Sequence, residues 1–305
     1  MDKKYTGVWP TMIAAFDDAG NLDLTGNAQI TENLISKGAD GLFAVCQSSE
    51  MFMLTLEEKV ALAKCVVEAT AGRVPVIASG HTSESIEDQI EELSAMAKTG
   101  VDAVVLVSNR LAKENEDSKV LINNLKRIME AIPNVKFGVY ECPYPYRRLL
   151  TDEELNWCIE SKRIIFLKDV SCDIEIQKRR VKIAQGSELK LFNANTETLM
   201  DSLIEGYDGY NGVMGNFHID IYKWLFENYA VDAVQARKLQ NELTIAGEIE
   251  KIAYPINAKY HMQQDQVSMT LFSRRLEQEV FTEERKQEVI QLIEWETKTK
   301  KALNI

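Results

Sequence analysis

The chain contains few of the residues from which metal centres and disulfide scaffolds are built. It has three histidines and five cysteines, and neither set shows a Cys-x-x-Cys pattern or the spacing of metal ligands. The sequence therefore predicts no metal site. Because the cysteines are odd in number and irregularly spaced, we expect reduced thiols, which are typical of a cytosolic protein.

Long apolar runs and an excess of positive charge are also missing. No apolar segment approaches the roughly 20 residues that cross a bilayer, and the charged start of the chain, residues 1–5, does not resemble a signal peptide. With 35 basic and 47 acidic residues, the formal net charge is −12. These features predict a cytoplasmic protein that binds neither nucleic acid nor membranes.

Eight short apolar runs recur along the sequence, about 30 residues apart, which is the length of one strand followed by one helix. They lie at residues 7–13, 41–45, 74–78, 103–107, 135–140, 164–167, 189–192 and 208–212. Segments with helical spacing separate them, and Thr55 and Thr151 each begin a capping-box pattern. This α/β alternation predicts a parallel sheet closed as a (β/α)8 TIM barrel, with an open doubly wound sheet as the alternative.

The pattern becomes wholly helical after about residue 218. Two or three further helices are predicted within residues 238–254 and 283–301. We therefore expect a catalytic barrel over residues 1–220 and a helical extension over residues 221–305 that packs on it.

Lys168 ends the sixth apolar run, where barrel enzymes carry their chemistry. Burying an ammonium group is costly, so this lysine is either ion-paired, to Asp169 or to a nearby glutamate, or partly neutral and nucleophilic toward carbonyls. The segment alone leaves both readings open. The same rule brings residues after the other strands to one mouth, among them Gln47, Ser48, Ser49, Tyr140, Asn193 and Asn211.

Four motifs follow one another at these predicted strand ends. They are Cys46-Gln47-Ser48-Ser49-Glu50, Leu54-Thr55-Leu56-Glu57-Glu58, Tyr140-Glu141-Cys142-Pro143 and Lys168-Asp169. In this order they resemble the Gly-[Ser/Thr]-Thr-Gly-Glu, Leu-Thr-x-Glu-Glu, Tyr-Asn-x-Pro and Lys-[Asp/Glu] motifs of the dihydrodipicolinate synthase and N-acetylneuraminate lyase superfamily. The resemblance covers roughly residues 5–220.

The resemblance implies a class I aldolase or lyase that needs no metal or organic cofactor. Lys168 would attack the ketone of a 2-oxo acid, typically pyruvate, and the protonated imine would stabilise a carbanion at the next carbon. Tyr140 would shuttle a proton, and Ser48 and Ser49 would hold the carboxylate. An aldehyde as second substrate and a homodimer or homotetramer are also implied.

The chain departs from this family pattern in ways that bear on the substrate. Cys46 and Ser49 replace the two loop glycines, and Leu111 stands where the synthases have a proton-relaying tyrosine, which argues against synthase activity. Arg147 or Arg148 is the candidate for binding the second substrate's carboxylate. Extra polar residues at the mouth suit a hydroxylated, sugar-acid-like substrate, although asparagines also cap helices and satisfy loops. They are Gln47, Asn109, Asn193, Asn195 and Asn211.

Two other functions remain open at this point. The same lysine imine could eliminate water from a sugar acid, as in a dehydratase. A barrel that has lost its chemistry could instead bind a small molecule without converting it. The presence of both Lys168 and Tyr140 favours an enzyme, because neither residue is needed to hold a barrel together.

Overall fold

The computed structural model describes residues 5–305, and its centre is a sheet of eight parallel strands. The strands are β1 (Gly7–Val8), β2 (Leu42–Phe43), β3 (Val76–Ala78), β4 (Ala103–Val107), β5 (Phe137–Tyr140), β6 (Ile164–Asp169), β7 (Lys190–Asn193) and β8 (Gly209–Tyr210). From β2 to β8 each strand pairs with the next along the chain, and β8 pairs with β1.

The sheet closes between β1 and β2, just beyond the end of β1. Pro10 has no N–H to donate to a neighbouring strand. One residue later, Thr11 forms a parallel bridge with Phe43 of β2. The Met12 N–H donates to the Phe43 carbonyl at 3.0 Å, and the Phe43 N–H donates to the Pro10 carbonyl at 3.1 Å. The predicted (β/α)8 barrel is therefore confirmed, and the open doubly wound sheet is excluded.

Helices follow the strands around the barrel. They are α1 (Leu24–Ser36), α2 (Leu56–Thr70), α3 (Ile86–Ala97), the short α4 (Ser108–Leu111), α5 (Ser118–Ala131), α6 (Asp152–Glu160), α7 (Ile174–Ala184), α8 (Leu199–Glu205) and α9 (Ile219–Asn228). The two predicted capping boxes are present, because Thr55 with Glu58 opens α2 and Thr151 with Glu154 opens α6.

The predicted helical extension consists of α10 (Ala233–Glu250), α11 (Ile256–Gln264) and α12 (Glu283–Leu303). Helix α9 contacts both β1 and β8, so it acts as the eighth helix of the barrel and runs across the division predicted at residue 220. We therefore propose that the barrel includes α9 and that the extension begins at Ala233. None of the helices within residues 5–305 is long and apolar enough to cross a membrane.

Aromatic side chains fill the barrel interior beneath its mouth. The Phe166 ring lies 4.8 Å from the Phe192 ring and 6.2 Å from the Trp9 ring, centroid to centroid. Side chains alternate between the two faces of a strand, so Lys168 projects into the interior like Phe166, whereas Asp169 projects outward. The register of β6 thus sets the orientation of both residues.

Candidate active site

Lys168 lies buried at the mouth, and within residues 5–305 it has no ionic partner. Its side chain is 3% exposed, and Nζ lies 4.6 Å from the centroid of the Tyr140 ring and 5.6 Å from that of Phe43. Asp169 faces the other side of the strand, where it pairs with Arg180 at 2.6 Å. Among the described residues no carboxylate pairs with Lys168, so the ion pair considered from the sequence is absent.

Burial without a counter-charge makes this lysine a weaker base. It lowers the pKa of Lys168 from 10.5 to about 8. After burial, the groups that most affect the pKa of Lys168 are the thiols of Cys46 and Cys142. Burial raises the pKa of both thiols, so neither carries a negative charge at neutral pH. With such a pKa, about a tenth of the amine is neutral, and therefore nucleophilic, at pH 7.

In the parallel pairing of β5 with β6, Tyr140 is the partner of Lys168, so the two side chains lie next to each other. Its phenol donates a hydrogen bond to Gln47 Oε1 at 3.2 Å, and the Cys142 thiol lies 3.6 Å from the same oxygen. Burial raises the pKa of Tyr140 well above its ordinary value. The phenol is therefore protonated at neutral pH and can give a proton to a neighbouring group.

Arg180 pairs with the carboxylates at the ends of β5 and β6, on the side that faces away from the barrel interior. Arg180, on α7, donates to Glu141 at 2.5 and 3.0 Å and pairs with Asp169 at 2.6 Å. All three side chains are at most 2% exposed, and each carboxylate directly follows Tyr140 or Lys168 in the sequence. The clamp fixes the tyrosine and the lysine relative to each other. The sequence contained its signal, since two acids at the ends of buried strands require a cation.

The loop after β2 supplies groups that could hold a carboxylate. Ser48 Oγ donates to Thr11 Oγ1 at 3.2 Å, whereas Ser49 Oγ is used within the loop, donating to the Cys46 carbonyl at 2.9 Å. The backbone N–H groups of Ser48 and Ser49 face the Cys46 sulfur. Sulfur is a weak acceptor, so a substrate carboxylate would be a better partner for these two groups.

Three other residues that we predicted as substrate ligands have contacts of different kinds. Arg147 is exposed and donates to the Val170 carbonyl at 3.4 Å, after β6. Asn193 donates to the hydroxyls of Thr198 and Ser202 at 3.0 and 2.9 Å, so both amide hydrogens are used locally.

The third of these residues, Asn211, is fully buried. Its amide donates to the Trp9 carbonyl at 2.6 Å, whereas its Oδ1 is without a hydrogen-bond partner among the described residues. Asn109 ties together the loop after β5 by donating to three backbone carbonyls, those of Cys142, Tyr144 and Tyr146. Asn109 and Asn193 thus stabilise a loop and a helix start, and substrate binding by the asparagines stays a prediction.

The extension adds two side chains to the mouth that the motifs did not reveal. The Tyr254 phenol accepts a hydrogen bond from Asn216 at 3.1 Å and lies close to Ser48. Arg275 is exposed, lies near Tyr254, and pairs with no carboxylate within residues 5–305. It borders a cavity of about 160 Å³ whose other lining residues are Gln47, Glu50, Phe52, Met53 and Tyr144.

Glu50 explains how the extension reaches the mouth. Its Oε2 accepts hydrogen bonds from the backbone N–H of Arg275 at 2.8 Å and from the Ser273 hydroxyl at 3.1 Å. Its Oε1 lies 3.7 Å from Lys259 Nζ. The carboxylate is thus engaged in holding residues 273–275 against the loop after β2. A buried glutamate in that loop was the available signal for such a contact.

Comparison with known proteins agrees with this geometry. The model of the dihydrodipicolinate synthetase family matches residues 4–295. The chain belongs to this family. Among its relatives, a 4-hydroxy-tetrahydrodipicolinate synthase of Oceanobacillus iheyensis is 28% identical over 66% of this chain and 67% of that protein. An N-acetylneuraminate lyase of Citrobacter koseri is 27% identical over 79% of this chain and 80% of that protein.

Solved structures show the same fold. A Ruminococcus gnavus sialic acid aldolase, described as a catalytic lysine mutant, gives a TM-score of 0.86 at 22% identity and covers 98% of this chain and 99% of its own. YagE of Escherichia coli K12, in complex with pyruvate, gives 0.86 at 20% identity, covering 96% and 99%. By its family the protein is a class I aldolase or lyase.

Proposed function

We propose that this enzyme forms a Schiff base between Lys168 and a 2-oxo acid of the pyruvate type, and then makes or breaks a carbon–carbon bond. The observation that carries the proposal is the buried Lys168 ammonium, which has no ionic partner among the described residues and stands 4.6 Å from the Tyr140 ring. A structural lysine in such a place would be paired, because an unpaired buried charge is destabilising.

The proposed chemistry uses the two residues in sequence. The neutral Lys168 amine adds to the ketone carbon, and the carbinolamine loses water to give a protonated imine. The imine nitrogen accepts the electron pair released at the next carbon, by deprotonation or by cleavage of the carbon–carbon bond. When the carbon–carbon bond is cleaved, the other fragment leaves as an aldehyde, and the resulting enamine takes up a proton; in the opposite direction the enamine attacks an aldehyde. Water then hydrolyses the imine, which releases the 2-oxo acid product and the free Lys168 amine. Tyr140, protonated and held by Gln47, gives a proton to the departing hydroxyl and recovers it later.

The two substrates would occupy opposite ends of the mouth. The 2-oxo acid carboxylate would bind at Ser48 and Ser49, whose N–H groups face a weakly accepting sulfur. The aldehyde would extend toward the cavity that Arg275 borders. An exposed guanidinium without a carboxylate partner favours an aldehyde with an anionic or hydroxylated tail. Arg147, at the rim after β6, is a second candidate for the same role.

We also propose a cellular compartment and an oligomeric state for the protein. We propose that the protein is cytoplasmic with reduced thiols, because its five cysteines are odd in number and irregularly spaced. Relatives of this fold that use a lysine imine are expected to be homodimers or homotetramers, and we propose the same for this chain. Light scattering on the purified protein measures the mass of the assembly directly.

Borohydride trapping tests the proposed function. The protein would be incubated with pyruvate, reduced with sodium borohydride, and measured by intact mass spectrometry, with the Lys168→Met variant treated in parallel. We expect one reduced pyruvate adduct per chain in the original protein and none in the variant. An adduct that persists in a folded Lys168→Met variant, or the absence of any adduct with pyruvate and with longer 2-oxo acids, would contradict the proposal.

A further inference from the structure

A second group of buried ionisable side chains lies where the barrel meets the extension. His218 immediately precedes α9, Glu250 ends α10, His261 lies in α11, and Glu296 lies in α12. All four residues are at most 5% exposed. The group, called here the seam cluster, thus draws one side chain from the barrel and three from the extension.

Three of these side chains converge on one point. His218 Nδ1 lies 3.2 Å from Glu296 Oε2, and His261 Nε2 is hydrogen-bonded to the same oxygen at 2.9 Å. One candidate ligand atom from each of the three residues lies within 4.8 Å of the others. Ligands of a tetrahedral zinc ion, each about 2.1 Å from the metal, are roughly 3.4 Å apart. Small side-chain adjustments would therefore bring the three atoms to coordination distance.

The hydrogen bonding of His218 is incomplete in this position. Carboxylate oxygens lie near both of its ring nitrogens, yet neither nitrogen is aligned with an acceptor in a hydrogen bond, and both are buried. Buried polar atoms are almost always satisfied. Nδ1 lies close to Glu296 Oε2 without pointing at it, which is the relation that two ligands of one ion show, whereas Nε2 faces Glu250.

The surroundings resemble the outer partners of a metal site. Glu250 Oε1 lies 2.8 Å from His218 Nε2, on the side of the ring away from Glu296. Lys300 pairs with the remaining oxygen of Glu296 and, at 2.5 Å, with Asp220. Metal-binding histidines usually have a carboxylate on the second ring nitrogen, and metal-binding carboxylates usually have a partner on the second oxygen.

The local charge also favours a divalent cation. Against the effect of burial, Glu250 and Glu296 raise the pKa of His218 to about 9, so without a metal an imidazolium and the Lys300 ammonium face three carboxylates. When both imidazoles are neutral metal ligands, only Lys300 remains to balance these carboxylates. Two of these carboxylates, Glu250 and Glu296, are buried and Asp220 is partly exposed, so most of the surplus of two negative charges lies where uncompensated charge is destabilising. An ion with two positive charges would balance it.

We propose that the seam cluster binds one zinc ion through His218 Nδ1, His261 Nε2 and Glu296 Oε2. Two imidazoles and one carboxylate form a ligand set that binds zinc in preference to magnesium or calcium. The ion joins the start of α9 to α11 and α12, so its role is to fasten the extension to the barrel. This site is separate from the imine chemistry and does not depend on it.

Nitrogen NMR of the histidine side chains tests the proposal in the unmodified sequence. The chain has only three histidines, so a tag-free, 15N-histidine-labelled protein gives three assignable imidazoles before and after addition of zinc chloride. We expect one zinc per chain and shifts at His218 Nδ1 and His261 Nε2. His81, whose Nδ1 accepts from the Val107 N–H at 2.9 Å, is the internal control.

Unchanged or fully protonated histidine side chains would contradict zinc binding at the seam cluster. If zinc leaves the His218 and His261 resonances unchanged, or if His218 keeps both nitrogens protonated in its presence, the seam cluster is a buried ion-pair network and the proposal is wrong. Binding of zinc that shifts none of these resonances would be adventitious.

Variants give an independent measure of the same site. His261→Gln and Glu296→Gln should each lower the bound zinc by one equivalent in plasma mass spectrometry, whereas Glu294→Gln, an exposed position on the same helix, should not. Glu250→Gln should weaken binding by about 10- to 100-fold. Unchanged stoichiometry in both ligand variants would overturn the assignment, and the NMR result decides if either variant fails to fold.

Discussion

The barrel mouth and the seam between barrel and extension both bury lysines, and they do so in opposite ways. Lys168 and Lys259 are at most 3% exposed, and burial lowers the pKa of each to about 8. Lys259 Nζ, however, donates to the Phe272 carbonyl and lies 3.7 Å from Glu50. Both lysines therefore have a lowered pKa, and Lys168 differs in that no carboxylate of the part of the chain that the structure describes pairs with it.

The carboxylates show the same division. Behind the mouth, Glu141 and Asp169 are held by Arg180 and turned away from Lys168. In the seam, Glu50 faces Lys259 and Glu296 faces two imidazoles. In the seam, Glu50 thus compensates a buried lysine, whereas the acids next to Lys168 compensate Arg180 and leave Lys168 without a carboxylate partner among the described residues. The comparison indicates that the mouth is organised for reactivity and the seam for attachment.

The largest effect is expected when each lysine is replaced by methionine. Lys168→Met removes the proposed nucleophile, so the pyruvate adduct and turnover should fall to background while the melting temperature stays near its original value. Lys259→Met leaves Glu50 without its ammonium, which should cost about 3–5 kcal/mol of unfolding free energy, yet adduct formation at a temperature where the protein is folded should persist. Thermal denaturation and intact mass measure both results.

Tyr140→Phe should separate proton transfer from imine formation. Loss of a general acid lowers kcat/KM by about 10²- to 10⁴-fold, whereas borohydride should still trap the Lys168 adduct after long incubation. The matched control is Tyr229→Phe, just after α9 and away from the mouth, which should leave both quantities unchanged. Normal turnover in Tyr140→Phe would rule out the proton-shuttle role.

The two adjacent arginines of the extension offer a test of substrate recognition. Arg275→Gln should raise KM for an anionic aldehyde about 10- to 100-fold, the equivalent of one charged hydrogen bond, and leave a neutral aldehyde unaffected. Arg274 pairs with Glu58 at 2.6 Å, so Arg274→Gln should lower stability without this discrimination. Equal losses with both aldehydes would argue against an anion site at Arg275.

The pH dependence should reflect the lowered pKa of Lys168. Only the neutral amine attacks, so the rate of imine formation should rise about tenfold per pH unit below the pKa of about 8 and level off above it. An ordinary lysine, with a pKa near 10.5, would give a rate that still rises at pH 9. Stopped-flow or quenched trapping between pH 6 and 9.5 distinguishes these profiles, and a continued rise would show that Lys168 is paired or exposed in solution.

The smallest effect on catalysis is expected at Asn193. Its amide hydrogens are donated to Thr198 and Ser202, so Asn193→Ala should remove two side-chain hydrogen bonds and cost about 1–3 kcal/mol of stability. The KM for the 2-oxo acid should change by less than about twofold. A large rise in KM with normal stability would support our prediction that Asn193 binds substrate.

The barrel could be predicted because its signals are local. Apolar runs, capping boxes at Thr55 and Thr151, and the alternation of strands and helices each depend on neighbouring residues. The position of Lys168 at the end of β6 followed from the same periodicity. The inward direction of its side chain and the outward direction of Asp169 then follow from the two-residue repeat of a strand.

Contacts between distant segments could not be predicted from one sequence. Arg180 reaches Glu141 and Asp169 from α7, and Tyr254 and Arg275 approach the mouth from the extension. The histidines looked scattered because His218 and His261 are 43 positions apart, although their rings are 5.4 Å apart, centroid to centroid, in the fold. Such clusters depend on how helices pack, which the periodicity of a single helix does not specify.

Peptide mapping of the borohydride-reduced pyruvate adduct tests the central distinction between the two buried lysines most directly. The unmodified protein would be trapped at pH 8, digested and sequenced by tandem mass spectrometry. We predict that the reduced adduct lies on Lys168 and that Lys259, with a similarly lowered pKa, is unmodified. An adduct on Lys259, or one spread over several lysines, would contradict the claim that the unpaired lysine at the mouth is the nucleophile.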